Sequence, residues 1–215
     1  MTDNSLKQAV LDELQWEPRV NAAHIGVAAK DGVVTLTGNV GSYAEKLAAE
    51  RATGRVYGVK GVAEELIVRY PFDNKVDDTD IAQKALQVLS WDIEVPNDKV
   101  KVKVEKGWVT LSGNLDWYFQ RTAAEADVRK LQGVTGVINN IVIKPPVQAS
   151  AVQDKIKAAL KRNAQIEADN ITVTTDGGKV TLSGKVDTWY ERNLVESTAW
   201  SAPGVTQVDD HLVVD

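Results

Sequence analysis

The segment Val-Thr-Leu-Thr-Gly-Asn-Val that begins at Val34 returns as Val-Thr-Leu-Ser-Gly-Asn-Leu at Val109 and as Val-Thr-Leu-Ser-Gly-Lys-Val at Val180. The offsets are 75 (109 minus 34) and 71 (180 minus 109), and they align the apolar periods and turns of the whole chain without a gap inside any copy. Self-similarity of that kind defines an internal repeat, so the 215 residues must be read as three equivalent small units rather than one large domain.

Each copy opens with apolar residues at helical spacing: Leu6, Val10 and Leu14; Ile81, Ala85 and Leu89; Val152, Ile156 and Leu160. Alternation follows at Ile25 and Val27, at Val100, Val102 and Val104, and at Ile171 and Val173, which is the period of a half-buried strand. Asp31-Gly32, Lys106-Gly107 and Asp176-Gly177-Gly178 have hairpin chemistry, because glycine accepts the positive φ that tight hairpins require. Val-Thr-Leu is then a second strand, with Val34 and Leu36 facing inward in the first copy. A second helix starts near Tyr43, Tyr118 or Trp189 and stops before Gly58-Val59, Gly133-Val134 or Gly204-Val205. A last strand points Leu66 and Val68, Ile141 and Ile143, or Leu212 and Val214 inward.

The expected class is α+β: three tandem α-β-β-α-β modules at residues 1–70, 80–144 and 151–215, each a three-stranded sheet with two helices on one face. The connector Pro71–Asp80 is acidic, and Lys144–Ser150 contains Pro145-Pro146 and should be short and stiff. Units of this size are marginal alone, so the copies are expected to pack on one another in part.

Helix, Val-x-Val strand, turn, Val-Thr-Leu-Ser-Gly-x-Val, helix and a closing Gly-Val segment together resemble the BON domain (bacterial OsmY and nodulation), over nearly the whole chain. The resemblance implies a non-enzymatic module of bacterial envelope and osmotic-stress proteins, credited with phospholipid or small-ligand binding and protein contacts. It places the family's glycine at Gly38, Gly113 and Gly184. Three copies exceed the pair usual in the family.

Composition narrows the classes. There is no cysteine, hence no disulfide, thiol nucleophile or lipidated Cys. A net charge of -5 offers no footprint for nucleic acid. No apolar run approaches the roughly 20 residues of a membrane span. The start, Met-Thr-Asp-Asn-Ser-Leu, has no basic-then-apolar leader, so the expected location is the cytoplasm, or the periplasm if a leader has been removed. Phosphate-loop, His-Glu-x-x-His and nucleophile-base motifs are all missing, and the chain is expected not to be an enzyme.

Three groups of residues invite a function. The sheet face away from the helices reads as polar (Thr35, Thr37; Lys101, Lys103, Thr110, Ser112; Thr172, Thr174, Thr181, Ser183), either a solvated face or a docking surface. His24 and His211 fall outside the core by strand alternation, and Asp209 and Asp210 stand beside the second. Imidazole and carboxylate suit Zn²⁺ or another divalent cation, although four ligands would require bridging between copies or molecules; plain surface residues are the alternative. Around the start of the middle copy's second helix, Trp117 and Phe119 with Arg121, Arg129 and Lys130 suit an anionic lipid surface or a partner, or else packing on a neighbouring copy.

Lys46/Glu50, Arg121/Glu125 and Arg192/Glu196 recur by common descent and receive no site. For the acidic connector (Asp73, Asp77, Asp78, Asp80), capping of the next helix by Thr79 or Asp80 is expected rather than a cation site. The functions that follow are a stress-related binding or scaffold protein that recruits a partner, a phospholipid surface or itself, and, alternatively, a cytoplasmic ion-responsive protein assembled by bridging cations.

Overall fold

The apolar stripes of the first helices are buried as their spacing requires: Leu6, Val10 and Leu14 on α1 (Asp3–Trp16), Ile81, Ala85 and Leu89 on α3 (Asp78–Trp91), and Val152, Ile156 and Leu160 on α5 (Val152–Arg162). The computed structural model describes residues 2–70, 76–145, 152–163 and 168–214. In the first copy α1 is followed by β1 (Ile25–Lys30), β2 (Val33–Val40), α2 (Tyr43–Arg55) and β3 (Gly61–Val68). The second copy continues from α3 through β4 (Val100–Glu105), β5 (Trp108–Leu115), α4 (Tyr118–Val128) and β6 (Gly136–Ile143). The third adds β7 (Ile171–Asp176), β8 (Lys179–Val186), α6 (Trp189–Trp200) and β9 (Gln207–Val214) to α5.

Each copy has its own sheet, in the orders β1-β2-β3, β4-β5-β6 and β7-β8-β9. The hairpin strands are antiparallel, whereas β3 lies parallel to β2 and β6 parallel to β5. A parallel neighbour needs a crossover, and the second helix supplies it. The central strand thus buries Val34 and Leu36, or Val109 and Leu111, under the helices. The hairpin turns use Asp31 and Gly32 at φ 51° and 84°, and Lys106 and Gly107 at 53° and 78°.

Gly38, Gly113 and Gly184 occupy φ of 122°, 145° and 135° in the centre of each sheet. A Cβ there would run into the carbonyl oxygen of His24, Lys99 or Asn170 on the neighbouring chain segment. That is why the Val-Thr-Leu-Ser motif ends on glycine each time.

By compactness the chain divides into two units, residues 1–74 with 185–193 and 213–215, and residues 75–184 with 194–212. Partial packing of the copies is evident within each. In the first unit, Trp189 packs against the core formed by Leu6, Val10, Leu36, Ala49 and their neighbours. In the second, Tyr118 stacks on Trp200 with ring centroids 4.6 Å apart and planes 8° from parallel.

Two local expectations are corrected. The N-cap of α3 is Asp77, whose carboxylate accepts the Thr79 N–H at 3.2 Å, and not Thr79 or Asp80. His24 ends a 3-10 turn (Ala22–His24) rather than opening β1, because the strand ladder begins at Ile25. Asp73 and Pro146 lie outside the described residues.

Candidate functional site

Strand register sorts the residues of the second sheet into rows on its outer face: Glu105, Trp108 and Gly136; Lys103, Thr110 and Ile138; Lys101, Ser112 and Asn140; then Asn114 beside Val142. The rows between them hold Val104, Val109 and Val137, or Val102, Leu111 and Asn139, and face the helices. The outer face is open, as expected, but it is not simply polar. Trp108 is 49% exposed, Ile138 44% and Val142 53%. The strand period places all three on the same face as Lys101 and Lys103, where the Lys103 ammonium pairs with Glu105 at 3.1 Å. The ring of Trp108 occupies the space above Gly136, where a Cβ would meet its atoms at 2.5–2.7 Å. Glycine therefore gives the indole a flat bed, and the side chain is exposed yet fixed.

The same rows carry different chemistry in the first copy. There they read Lys30, Val33 and Gly61; Ala28, Thr35 and Ala63; Gly26, Thr37 and Glu65; then Asn39 and Ile67. On the third copy, Lys179 meets Asp209 at 2.7 Å, and His211 and Val213 are exposed further along β9. Fold and register are shared while the outer faces have diverged, and the second copy alone combines an exposed Trp with two lysines in these rows.

The residues expected around α4 separate. Phe119 is 51% exposed and Trp117 half-buried. Arg121 donates to the backbone carbonyl of Asn139 at 3.1 Å, and the Asn139 amide returns a bond to the Arg121 carbonyl at 3.1 Å. Its guanidinium also lies 6.0 Å from the centre of the Tyr118 ring. Arg121 thus joins α4 to β6. Arg129 is half-buried at the C-cap of α4 and Lys130 is exposed beyond it.

The equivalent first-copy residue, Lys46, bonds Glu64 at 2.8 Å and the Leu66 carbonyl at 2.8 Å. The recurring base of the second helix, assigned no role from sequence, therefore ties that helix to the last strand in these two copies. A helical spacing of four drew attention to Glu50 and Glu125, whereas the partner that matters lies 18 residues on, at Glu64 (64 minus 46) or Asn139 (139 minus 121).

His24 and His211 are both exposed. Asp209 shares the outer face with His211, and its carboxyl is held below its ordinary value of 3.8 by hydrogen bonds from Lys179 and Gln207. Asp210 points the other way, and its carboxylate accepts the Leu212 N–H at 2.8 Å. Among the described residues no three His, Asp or Glu side chains gather as a metal-ligand set.

A groove of about 640 Å³ opens in the first unit, lined by Leu47, Glu50, Arg51, Val62, Trp189 and Tyr190. Partial desolvation and the nearby Glu64 carboxylate push Glu50 above its ordinary value of 4.5. Among the described residues no helix is long and apolar enough to cross a membrane.

A family model described as the BON domain matches residues 2–70, 77–145 and 148–215. Osmotically-inducible protein Y of Escherichia coli (strain K12) is 31% identical over 147 residues, covering 65% of this chain and 73% of that protein. An uncharacterized protein in the gshII 5' region of Anaplasma centrale is 31% identical over 116 residues, 51% of this chain and 77% of the other. The solved C-terminal domain of CdsD, the structural protein of the Type III secretion system of Chlamydia trachomatis, aligns over 100% of both chains at 17% identity, with a TM-score of 0.28, too low to bear on function.

Proposed function

Because the chain belongs to the BON-domain family, in three copies, we propose that it is a non-enzymatic binding and scaffold protein of bacterial osmotic stress whose middle copy docks on an anionic phospholipid surface. The observation that carries this reading is the outer sheet face that Trp108, Ile138 and Val142 share with Lys101 and Lys103. The stress assignment draws on the likeness to osmotically-inducible protein Y.

The physics of the lipid–water boundary matches that set of side chains. An exposed indole prefers the interfacial zone, and lysine stems lie along apolar surface while their ammonium groups reach phosphates. Lys101 contributes about 1 kcal/mol near an anionic surface, and Lys103, paired with Glu105 at 3.1 Å, contributes less. Binding by one such face is weak and falls with salt, so a scaffold with a reversible surface contact fits better than a permanent anchor.

Flotation with phosphatidylglycerol-containing and with purely phosphatidylcholine vesicles tests it. The expected result is binding to the anionic vesicles at low ionic strength, lost in Lys101→Ala/Lys103→Ala and in Trp108→Ala but kept in Phe119→Ala, with circular dichroism confirming that each variant folds. No binding to anionic vesicles at low salt, or a loss confined to Phe119→Ala, rejects the assignment.

A further inference from the structure

The second helix of each copy carries a glutamate at the same place: Glu50, then Glu125 (50 plus 75), then Glu196 (125 plus 71). In the second copy the Glu125 carboxylate accepts the Asn139 amide N–H at 3.0 Å, and in the third the Glu196 carboxylate accepts the Trp200 indole N–H at 3.3 Å. Glu50 has neither a hydrogen bond nor an ion pair among the described residues. Partial desolvation, and after it the Glu64 carboxylate, push its carboxyl above the ordinary 4.5. One copy of the three thus leaves this carboxylate unanswered, and it does so in the groove of the first unit.

Leu47, Glu50, Arg51, Gly54 and Arg55 follow the spacing i, i+3, i+4, i+7 and i+8, which is one stripe of α2. That stripe forms a wall of the groove, apart from Ala48, Ala49, Ala52 and Thr53, which face the core. Gly61 and Val62 of β3 and the first turn of α6 complete the lining. Gly54 keeps the α2 wall low, for the same position holds Arg129 in the second copy (54 plus 75) and Trp200 in the third (129 plus 71). Trp189 is a fixed wall: it packs on the first-copy core, and the Arg192 guanidinium lies 4.6 Å from its ring centre. The volume of about 640 Å³ falls within the roughly 300–1,000 Å³ of small-molecule sites.

Two opposite charges line this groove without a partner. Arg51, like Glu50, makes no hydrogen bond or ion pair among the described residues, whereas Arg55 is taken by Glu13 at 2.7 Å. Neighbours in a helix do not face each other, so Glu50 and Arg51 cannot satisfy one another. We propose that the groove binds a small zwitterion with an apolar body, the chemistry of an apolar amino acid. Its ammonium pairs with Glu50, its carboxylate with Arg51, and its side chain lies against Leu47, Val62 and Trp189. A simple amine would leave the Arg51 guanidinium unanswered, and a simple carboxylate would meet Glu50; a ligand carrying both charges makes two charge-assisted contacts. The site shares no residue with the outer face of the second sheet, so it stands or falls apart from the lipid reading.

Titration of the full chain with leucine and with phenylalanine at neutral pH, followed by amide shifts in ¹H–¹⁵N NMR spectra, tests the site. Saturable shifts at α2 and the start of α6 are expected with at least one of the two, with a dissociation constant of about 1 mM or lower. Binding should weaken on the order of tenfold in Glu50→Gln, as for loss of a charged hydrogen-bond partner, and by a similar factor when leucinamide or phenylalaninamide replaces the amino acid. Gly54→Leu, which fills the groove from α2, should abolish the shifts; should that variant fail to fold, Asn193→Leu narrows the groove from α6 with the same expected loss. No saturable shift up to about 10 mM of either amino acid, equal binding by Glu50→Gln, or equal binding of the amides overturns the proposal.

Discussion

The carboxylate of Asp78 accepts the backbone N–H of Lys106 at 2.7 Å, and its second oxygen accepts the N–H of Gly107 at 2.9 Å. The first turn of α3 thereby holds the hairpin turn between β4 and β5, where Lys106 adopts φ 53°, a value that costs energy for any residue with a side chain. Asp3 does the same for Asp31 at 3.0 Å in the first copy. Asp78→Ala is expected to destabilise the chain by about 1–3 kcal/mol, as for loss of hydrogen bonds to a charged group, and Asp78→Asn by less, because one acceptor oxygen remains. Urea denaturation followed by circular dichroism checks both.

Gly113→Ala should be among the most disruptive single-methyl additions. The residue combines φ 145° with a Cβ position that meets the Lys99 carbonyl, and the sheet cannot yield without losing the β4–β5 ladder. A loss of at least ~2 kcal/mol is expected. Gly177→Asn is the control: φ is 57° and nothing lies within 4 Å of the added Cβ, so the change should stay under about 1 kcal/mol. Comparing the two denaturation midpoints separates collision from mere backbone preference.

Acid should weaken the first copy at a lower pH than ordinary carboxylates would suggest. Glu17 is 7% exposed, and its hydrogen bond with Arg19, aided by Arg55, holds its carboxyl at about 2 instead of 4.5. The folded value is depressed, so the contribution is present above about pH 4.5 and disappears as pH falls through about 2. Glu17→Gln is expected to cost ~1–2 kcal/mol at neutral pH, discounted because Arg19 is largely exposed, and nothing at the acid limit. Stability profiles of the two proteins across that window should converge at low pH.

Tyr118 and Trp200 bind two segments far apart in the chain through one stacked pair. Trp200→Ala should cost about 2–4 kcal/mol, the loss of a large half-buried side chain plus the ring contact. Trp16→Ala, at a tryptophan that is 83% exposed, should change stability by less than about 0.5 kcal/mol. Thermal unfolding of the pair shows whether aromatic size or aromatic placement matters.

The repeated Val-Thr-Leu-Ser-Gly segment, the helical stripes and the positive-φ turn glycines were readable from order alone. Each expresses a local property: side-chain period, or a dihedral angle open to only one residue type. What the tertiary structure decided involves partners that no local period announces. The placement of β3 parallel to β2 and the reach of Arg121 to Asn139 depend on the crossover made by the second helix, and the hold of Asp78 on a turn 28 residues later (106 minus 78) depends on the packing of the first helix against the hairpin.

The candidate face shows the same division. Lys101 and Lys103 were placed correctly by alternation along one strand, and the same alternation sends Trp108, Ile138 and Val142 outward, but only strand register shows which residues share a row there. Hydrophobicity and period state which side a strand residue faces; only pairing across the sheet states which side chains it stands beside.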